Sequence, residues 1–248
     1  MQSLIDKKKY IISFDDVGSG AKSANIVING IFNQNLRRKN LYNGYKYLFL
    51  NSPSSKSKKK SNTKVKKIFV SFGGYDKREL VKFFLQTINS WEKELDNKIH
   101  INIFCGKINK KKKKVLEKCL DKLKKDKKIL FINLHYESLN FYRMLSKADL
   151  AVVSGGLTIF ESISYKVPVI GLPQYRHQLI NLKKLSSNGA VVIGSNGFAL
   201  NKNFFLKIFN RIIKFKKIRL KMQKKGKKLI DGKGHQRVIK IINDLLLK

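Results

Sequence analysis

Two hydrophobic patterns alternate along most of the chain. From residue 67 onward, short apolar runs such as "KIFVSF" and "DLAVVS" alternate with longer amphipathic stretches such as "KKKKVLEKCLDKLKKD". Uninterrupted Val- and Ile-rich runs are typical of parallel strands buried on both faces, and the amphipathic stretches repeat with a helical period. The pattern predicts an α/β domain, a doubly wound Rossmann-like parallel sheet of about six strands.

The first 66 residues are different. "YIISFDD" and "NIVINGIF" predict two strands, and residues 51–66 form a Ser- and Lys-rich stretch that is typical of a linker. Two strands alone cannot bury both faces of a sheet. The sequence therefore predicts the remnant of an N-terminal domain at 1–50, a polar linker at 51–66 and a ligand-binding domain at 67–248. It also predicts an exposed apolar surface around residues 26–32.

Two of the predicted strands end in paired glycines that precede a helix. The first turn contains Gly73 and Gly74, and the second reads Ser154, Gly155, Gly156, Leu157 and Thr158. Glycine lets backbone N–H groups approach a ligand closely, and a helix N-terminus adds free donors and partial positive charge. Parallel strands end at one edge of a sheet, so both turns are expected there, where they suit a diphosphate. An ordinary pair of turns remains the alternative.

Further polar groups are expected at the same edge. Glu161 lies one turn into the second helix, where a carboxylate either interacts with the helix dipole or accepts two hydrogen bonds from a ribose diol. The loop "LPQYRHQLIN" follows the next strand and adds His177, Gln178 and Asn181. A neutral hydrogen-bonding role for Gln178 is favoured over a catalytic role for His177.

Charge changes this picture only in part. The chain carries a net charge of +38, but Lys outnumbers Arg by 46 to 8, and the Arg fork that reads guanine and grips phosphate is scarce. A lysine-coated surface with no specific nucleic-acid partner is predicted, together with a field that attracts nucleotide phosphates and, weakly, acidic membrane surfaces. Long apolar runs and a signal-peptide pattern are absent, which predicts a cytoplasmic protein. Cys105 and Cys119 have no CxxC spacing and no nearby histidines, so neither a disulfide nor a metal site is predicted. No cofactor is predicted either.

A family resemblance follows from these motifs. "SGGLTIFESISYKVPVIGLP", followed by "HQ", resembles the C-terminal, nucleotide-binding half of the GT-B glycosyltransferases, and more closely the UDP-sugar hydrolases of pseudaminic-acid biosynthesis and related spore-coat polysaccharide proteins. "IISFDD", "GYKYLFL", "VSFGGYD" and "DGKGHQRV" add matches in the family's order. The resemblance implies a UDP-sugar ligand and hydrolysis of the bond between the anomeric carbon and the diphosphate, with no required metal.

The resemblance also implies roles for individual residues. Glu161 would hold the ribose hydroxyls, and the loop at 136–140 would meet the uracil through backbone groups. The diphosphate and sugar would lie among the glycine turns and the third loop. The full set implied to bind the UDP-sugar is Gly73, Gly74, Ser154, Gly155, Gly156, Leu157, Thr158, Glu161, His177, Gln178 and Asn181.

The chain departs from the family at its beginning. Family members carry a histidine, thought to activate the attacking water or acceptor, in an early glycine-rich turn, but no such turn precedes Asp15 here. The catalytic residue therefore stays unassigned, and the sequence predicts either a separate N-terminal partner chain or a truncated product that binds without turnover. Two other functions stay open: the donor-binding half of a UDP-GlcNAc-type glycosyltransferase, and a non-catalytic nucleotide or polyanion binding module.

Overall fold

The computed structural model describes residues 10–16, 18–31, 39–51, 64–91, 98–126, 130–137 and 139–247. The chain divides into two compact units, the first formed by residues 1–52 and 229–248 and the second by residues 53–228. Each unit has its own parallel sheet. Most of the linker predicted at 51–66 lies outside the described residues.

The secondary structure follows the predicted alternation. The described strands are β1 (Ile12–Phe14), β2 (Ile26–Asn29), β3 (Leu41–Asn43), β4 (Lys67–Ser71), β5 (Ile99–Phe104), β6 (Leu130–His135), β7 (Leu150–Val153), β8 (Val169–Gly171) and β9 (Val192–Ile193). The described helices are α1 (Leu80–Asn89), α2 (Lys110–Asp126), α3 (Phe141–Lys147), α4 (Leu157–Ser164), α5 (Arg176–Ser187), α6 (Lys202–Lys214), α7 (Lys216–Leu229) and α8 (Gly234–Leu246). Within the described residues, none of these helices is long and apolar enough to cross a bilayer.

The second unit is built on six parallel strands in the order β6-β5-β4-β7-β8-β9. The central strands β4 and β7 are buried, and Val70 and Val152 at their middle have no exposed surface. From β4 the chain moves outward to β6, then returns beside β4 to begin β7 and moves outward to β9. This reversal is the switch point at which doubly wound sheets bind ligands. The predicted α/β fold with about six parallel strands is confirmed.

The two ends of the chain pack together in the first unit. Val238 of α8 is fully buried against Ile26 and Ile28 of β2. Residues 229–248 therefore belong with the N-terminal strands, whereas the sequence pattern had placed them in a domain at 67–248. The expected exposure around residues 26–32 is wrong for Ile26, Val27 and Ile28, because α8 and a second small cluster bury them. Phe32 lies outside the described residues.

Buried polar groups fix two helix ends in the second unit. Helix α1 begins at Leu80, where the Asp76 carboxylate accepts the backbone N–H groups of Leu80 and Val81 at 2.9 and 2.8 Å. Arg219 is 1 % exposed, and its guanidinium donates to the carbonyls of Ile212 and Ile213 in the last turn of α6. Helix ends leave such backbone groups unpaired, and these two side chains satisfy them.

Candidate functional site

The two predicted glycine turns are adjacent in the structure. Ser71 at the end of β4 is paired in register with Val153 at the end of β7. The backbone N–H of Ser154, which is buried, donates to the Ser71 carbonyl at 3.3 Å. Both turns therefore leave the sheet side by side at its switch point, the position expected for a ligand site.

The turn after β4 faces open space. Gly73 has a φ of +89°, in the region that favours glycine, and a Cβ added to Gly73 or Gly74 would meet nothing within 4 Å. The Gly74 carbonyl accepts the Lys107 N–H at 2.9 Å, which ties this turn to the loop after β5. The turn is thus held from one side and open on the other.

The turn after β7 contains two glycines, and close packing excludes a side chain at only one of them. A Cβ on Gly155 would overlap the backbone carbonyl of Gln178, so close packing against α5 explains this residue. At Gly156 the nearest atom to an added Cβ is the Gln178 side-chain nitrogen at 3.5 Å, and its φ of −85° is open to any residue. Neither packing nor backbone conformation requires glycine at positions 74 and 156, and the missing side chains leave both turns open to close approach by a ligand.

Helix α4 begins directly after this turn without a protein cap. Gly156 is its N-cap residue, it receives no side-chain cap, and its first turn carries no acidic residue. Leu157 is 43 % exposed, while Thr158 lines the neighbouring cleft. The N-terminal N–H groups and the partial positive charge of the helix are therefore available to an anion beside the Thr158 hydroxyl.

A cleft of about 500 Å³ opens at this edge of the sheet. Its volume falls within the usual range for small-molecule sites. One wall is aromatic, since the Phe104 ring stacks on His135 with centroids 4.8 Å apart and Phe141 packs edge-on against Phe104 at 4.8 Å. The cleft is lined by Ser71, Gly73, Gly74, Phe104, Gly106, Lys107, His135, Tyr136, Glu137, Phe141 and Thr158. Sequence reasoning missed Phe104, Lys107 and His135, although their positions at the ends of β5 and β6 were a usable signal.

His135 is held in a fixed orientation within this wall. Its Nε2 lies 3.0 Å from the Asn102 Oδ1 on the neighbouring strand. Burial lowers the pKa of His135 from its ordinary value, which favours the neutral imidazole. The wall therefore presents flat, uncharged rings to the cleft, together with the exposed ammonium of Lys107.

Glu161 is a buried carboxylate below the start of α4. It is 3 % exposed, and the Tyr142 hydroxyl on α3 donates to its Oε1 at 2.9 Å. Burial raises the pKa of Glu161, while the Tyr142 hydrogen bond opposes that rise. Burial and then the same hydrogen bond raise the pKa of Tyr142 to about 12. A carboxylate accepts about four hydrogen bonds, so one tyrosine leaves capacity for a diol.

The third predicted loop acts mainly as a scaffold for the turn after β7. Gln178 and Asn181 are buried, the Gln178 Oε1 accepts the Gln174 N–H at 2.9 Å, and the Asn181 amide donates to the Gly155 carbonyl at 3.4 Å. His177 is exposed and stacks on Tyr175, with ring centroids 5.6 Å apart. These three residues lie next to the β7 turn and outside the lining of the cleft.

Gln174 joins the turns after β4 and β8 and was missed by the sequence reasoning. Its side-chain amide donates to the Phe72 carbonyl, and its Oε1 accepts the Lys77 N–H at 2.9 Å. A buried amide that bonds to both loops fixes their separation. Among the residues that the structure describes, no three His, Cys, Asp or Glu side chains group as metal ligands would.

The α/β fold, a six-stranded parallel sheet flanked by helices, is similar to that of solved GT-B glycosyltransferases. The crystal structure of MurG from Acinetobacter baumannii matches with a TM-score of 0.70 and 16% identity, covering 98% of this chain and 70% of that chain. A UDP-GlcNAc 2-epimerase from Neisseria meningitidis, solved bound to UDP-GlcNAc, matches with a TM-score of 0.52 and 15% identity, covering 74% of this chain and 45% of that chain.

Sequence similarity narrows the comparison further. The spore coat polysaccharide biosynthesis protein SpsG of Bacillus subtilis strain 168 is 26% identical over 246 residues, which cover 96% of this chain and 70% of the relative. No protein-family model matches the chain. The resemblance to spore-coat polysaccharide proteins and to GT-B glycosyltransferase structures is thereby supported, and the resemblance to the hydrolases stays a prediction.

Proposed function

We propose that this chain binds a UDP-sugar at the switch-point cleft and serves as a UDP-sugar hydrolase component of surface-polysaccharide biosynthesis in the cytoplasm. The observation that carries the proposal is the pair Gly74 and Gly156, which flank an uncapped helix N-terminus with buried Glu161 one turn beyond it. One structural neighbour was solved with UDP-GlcNAc, and the relative from Bacillus subtilis is named for polysaccharide biosynthesis.

Each part of the ligand has a matching group in the proposal. The diphosphate lies against the first N–H groups of α4 and the Thr158 hydroxyl, with Lys107 adding positive charge across the cleft. The ribose diol donates to Glu161. The uracil lies toward the aromatic wall and the loop at 136–140, and the sugar lies toward Gly73 and Gly74.

The proposed reaction is hydrolysis of the UDP-sugar, in which negative charge develops on the departing UDP. Water attacks the anomeric carbon, the bond from that carbon to the diphosphate oxygen breaks, and the proton of the water passes to a base. The N-terminus of α4 stabilises the negative charge that grows on the departing UDP. We propose that neither His177 nor His135 is this base, because His177 is exposed and stacked on Tyr175, and the His135 Nε2 already contacts the Asn102 Oδ1.

Calorimetry tests the binding part of the proposal. UDP and a UDP-N-acetyl sugar should bind, and Glu161→Gln should weaken binding by about ten- to a hundredfold, because hydrogen bonds to a charged group contribute about 1.5–3 kcal/mol. Asp121→Asn, which removes an exposed carboxylate on α2, is the matched control and should bind as the wild type does. Tight binding of duplex DNA at physiological salt without heat from UDP would favour the polyanion-binding alternative.

Phosphorus NMR of a UDP-sugar tests turnover. The proposal expects release of UDP when the protein is combined with a candidate partner chain, and release should depend on Glu161. Release of UDP only when an acceptor sugar is added, with transfer to that acceptor, would identify a glycosyltransferase component in place of a hydrolase.

A further inference from the structure

Tyr142 joins two parts of the candidate site that belong to different elements. Its neighbour Phe141 lines the aromatic wall, and the two rings pack edge-on with centroids 5.2 Å apart. The Tyr142 hydroxyl reaches across to α4 and donates to the Glu161 Oε1 at 2.9 Å. The short helix α3 thus contacts both the aromatic wall proposed for the uracil and the Glu161 carboxylate proposed for the ribose.

The carboxylate depends on this tyrosine for hydrogen bonding. Glu161 is 3 % exposed, and among the described residues Tyr142 is the group that donates to its side chain. A buried carboxylate with one donor is incompletely satisfied, and it has lone pairs left for further donors. A vicinal diol supplies two hydroxyl donors of the kind that would complete the set.

We propose that Tyr142 is a positioning residue for ribose recognition: its hydroxyl orients the Glu161 carboxylate and keeps it ionised, so that the free lone pairs accept the diol. The inference rests on the proposed binding of a UDP-sugar. In addition, Tyr142 on α3 controls how well the ribose binds, although this residue need not touch the ligand.

The expected pH dependence follows from the groups around the carboxylate. Burial raises the pKa of Glu161, and the Tyr142 hydrogen bond opposes that rise. Burial and then the Glu161 charge raise the pKa of Tyr165, which directly follows α4. His135 lines the cleft that Thr158 of α4 also lines. Because the ionised carboxylate is the acceptor, binding is strong above the Glu161 pKa and is lost as the pH falls through it. Removing the Tyr142 hydroxyl should move this loss to higher pH.

The test compares four proteins in titrations with a UDP-sugar, whose diphosphate is doubly esterified and does not titrate between about pH 5 and pH 8. They are the wild type, Tyr142→Phe, Glu161→Gln and the double variant. We expect Tyr142→Phe to weaken binding on the order of tenfold, with a larger loss at the acid end. In the Glu161→Gln background the same change should have little effect, since the carboxylate is gone. Tyr165→Phe is the control and should retain the wild-type pH profile.

Titration of Tyr142 itself provides a readout without ligand. The pKa of Tyr142 is raised to about 12, in part by Glu161, and NMR of labelled tyrosine should show it falling toward the ordinary value in Glu161→Gln. An unchanged Tyr142 titration, or an equal loss of affinity from Tyr142→Phe in both backgrounds, would overturn the inference while UDP-sugar binding by the wild type still stands. Absence of binding by the wild type would instead remove the proposed function, and the inference with it.

Discussion

The two glycines after β7 provide a sharp test of the proposed site, because packing excludes a side chain at Gly155 but leaves space for one at Gly156. An alanine methyl at position 155 would lie 2.9 Å from the backbone carbonyl carbon of Gln178 and closer still to its oxygen. The backbone of α5 cannot yield as a side-chain end would, so Gly155→Ala should lower the free energy of unfolding by about 2–3 kcal/mol or more. At Gly156 the nearest atom would be 3.5 Å away, and the φ of −85° suits alanine. Gly156→Ala should therefore change stability by less than about 1 kcal/mol.

The UDP-sugar affinities of the two variants should follow the opposite order. Measured on the folded fraction of each protein, Gly156→Ala should bind more weakly than Gly155→Ala. The methyl of Gly156→Ala would occupy the space through which a diphosphate oxygen reaches the first N–H groups of α4, so UDP-sugar affinity should fall about tenfold. Urea unfolding gives the free energies, and calorimetry on the folded fraction gives the affinities. Equal destabilisation by both changes, or wild-type affinity in Gly156→Ala, would refute the view that Gly156 is kept small for a ligand.

Two further predictions concern groups outside the cleft. Arg219→Leu should lower the free energy of unfolding by about 2 kcal/mol, because the carbonyls of Ile212 and Ile213 lose their buried donor. Urea unfolding measures this loss, and the UDP-sugar affinity should not change. A variant as stable as the wild type would contradict the prediction. The Arg237 ion pair lowers the pKa of Asp231 from 3.8 to about 2, so its stabilisation is present above the higher value and is lost as the pH falls toward the lower one. Both side chains are more than a third exposed, so Asp231→Asn should cost at most about 1 kcal/mol at neutral pH, and the cost should vanish as the pH falls through about 2. A difference that persists in stronger acid would exclude the ion pair as its cause.

Much of the fold could be predicted because burial on both faces leaves a strong trace in sequence. The apolar runs "KIFVSF" and "DLAVVS" located β4 and β7 to within about one residue at either end, and the paired glycines marked the sheet edge at which both strands end. Strand β3 left no such trace, since Leu41–Asn43 is three residues long and only half-buried. The sequence pattern placed α8 in the domain at 67–248, because nothing local in its sequence reveals that β2 covers its apolar face.

The site was predictable at the level of loops but not of contacts. Local sequence placed Gly155, Gly156 and Glu161 correctly around one strand end. The distinction between the two glycines depends on Gln178, which belongs to the next strand-helix unit. The partner of Glu161 is Tyr142, nineteen positions earlier, and the Gln174 amide reaches Phe72, a hundred and two positions away. No local pattern encodes such pairings, because the return of the chain at the sheet's switch point creates them.

The most direct test of the central claim is a crystal structure of the protein with a UDP-sugar. We expect the diphosphate within about 3 Å of the first N–H groups of α4, beside Gly74 and Gly156, and the ribose hydroxyls on the Glu161 carboxylate. Density for the nucleotide elsewhere, for example in the second cavity lined by Asp76, Cys105 and Lys112, would contradict it.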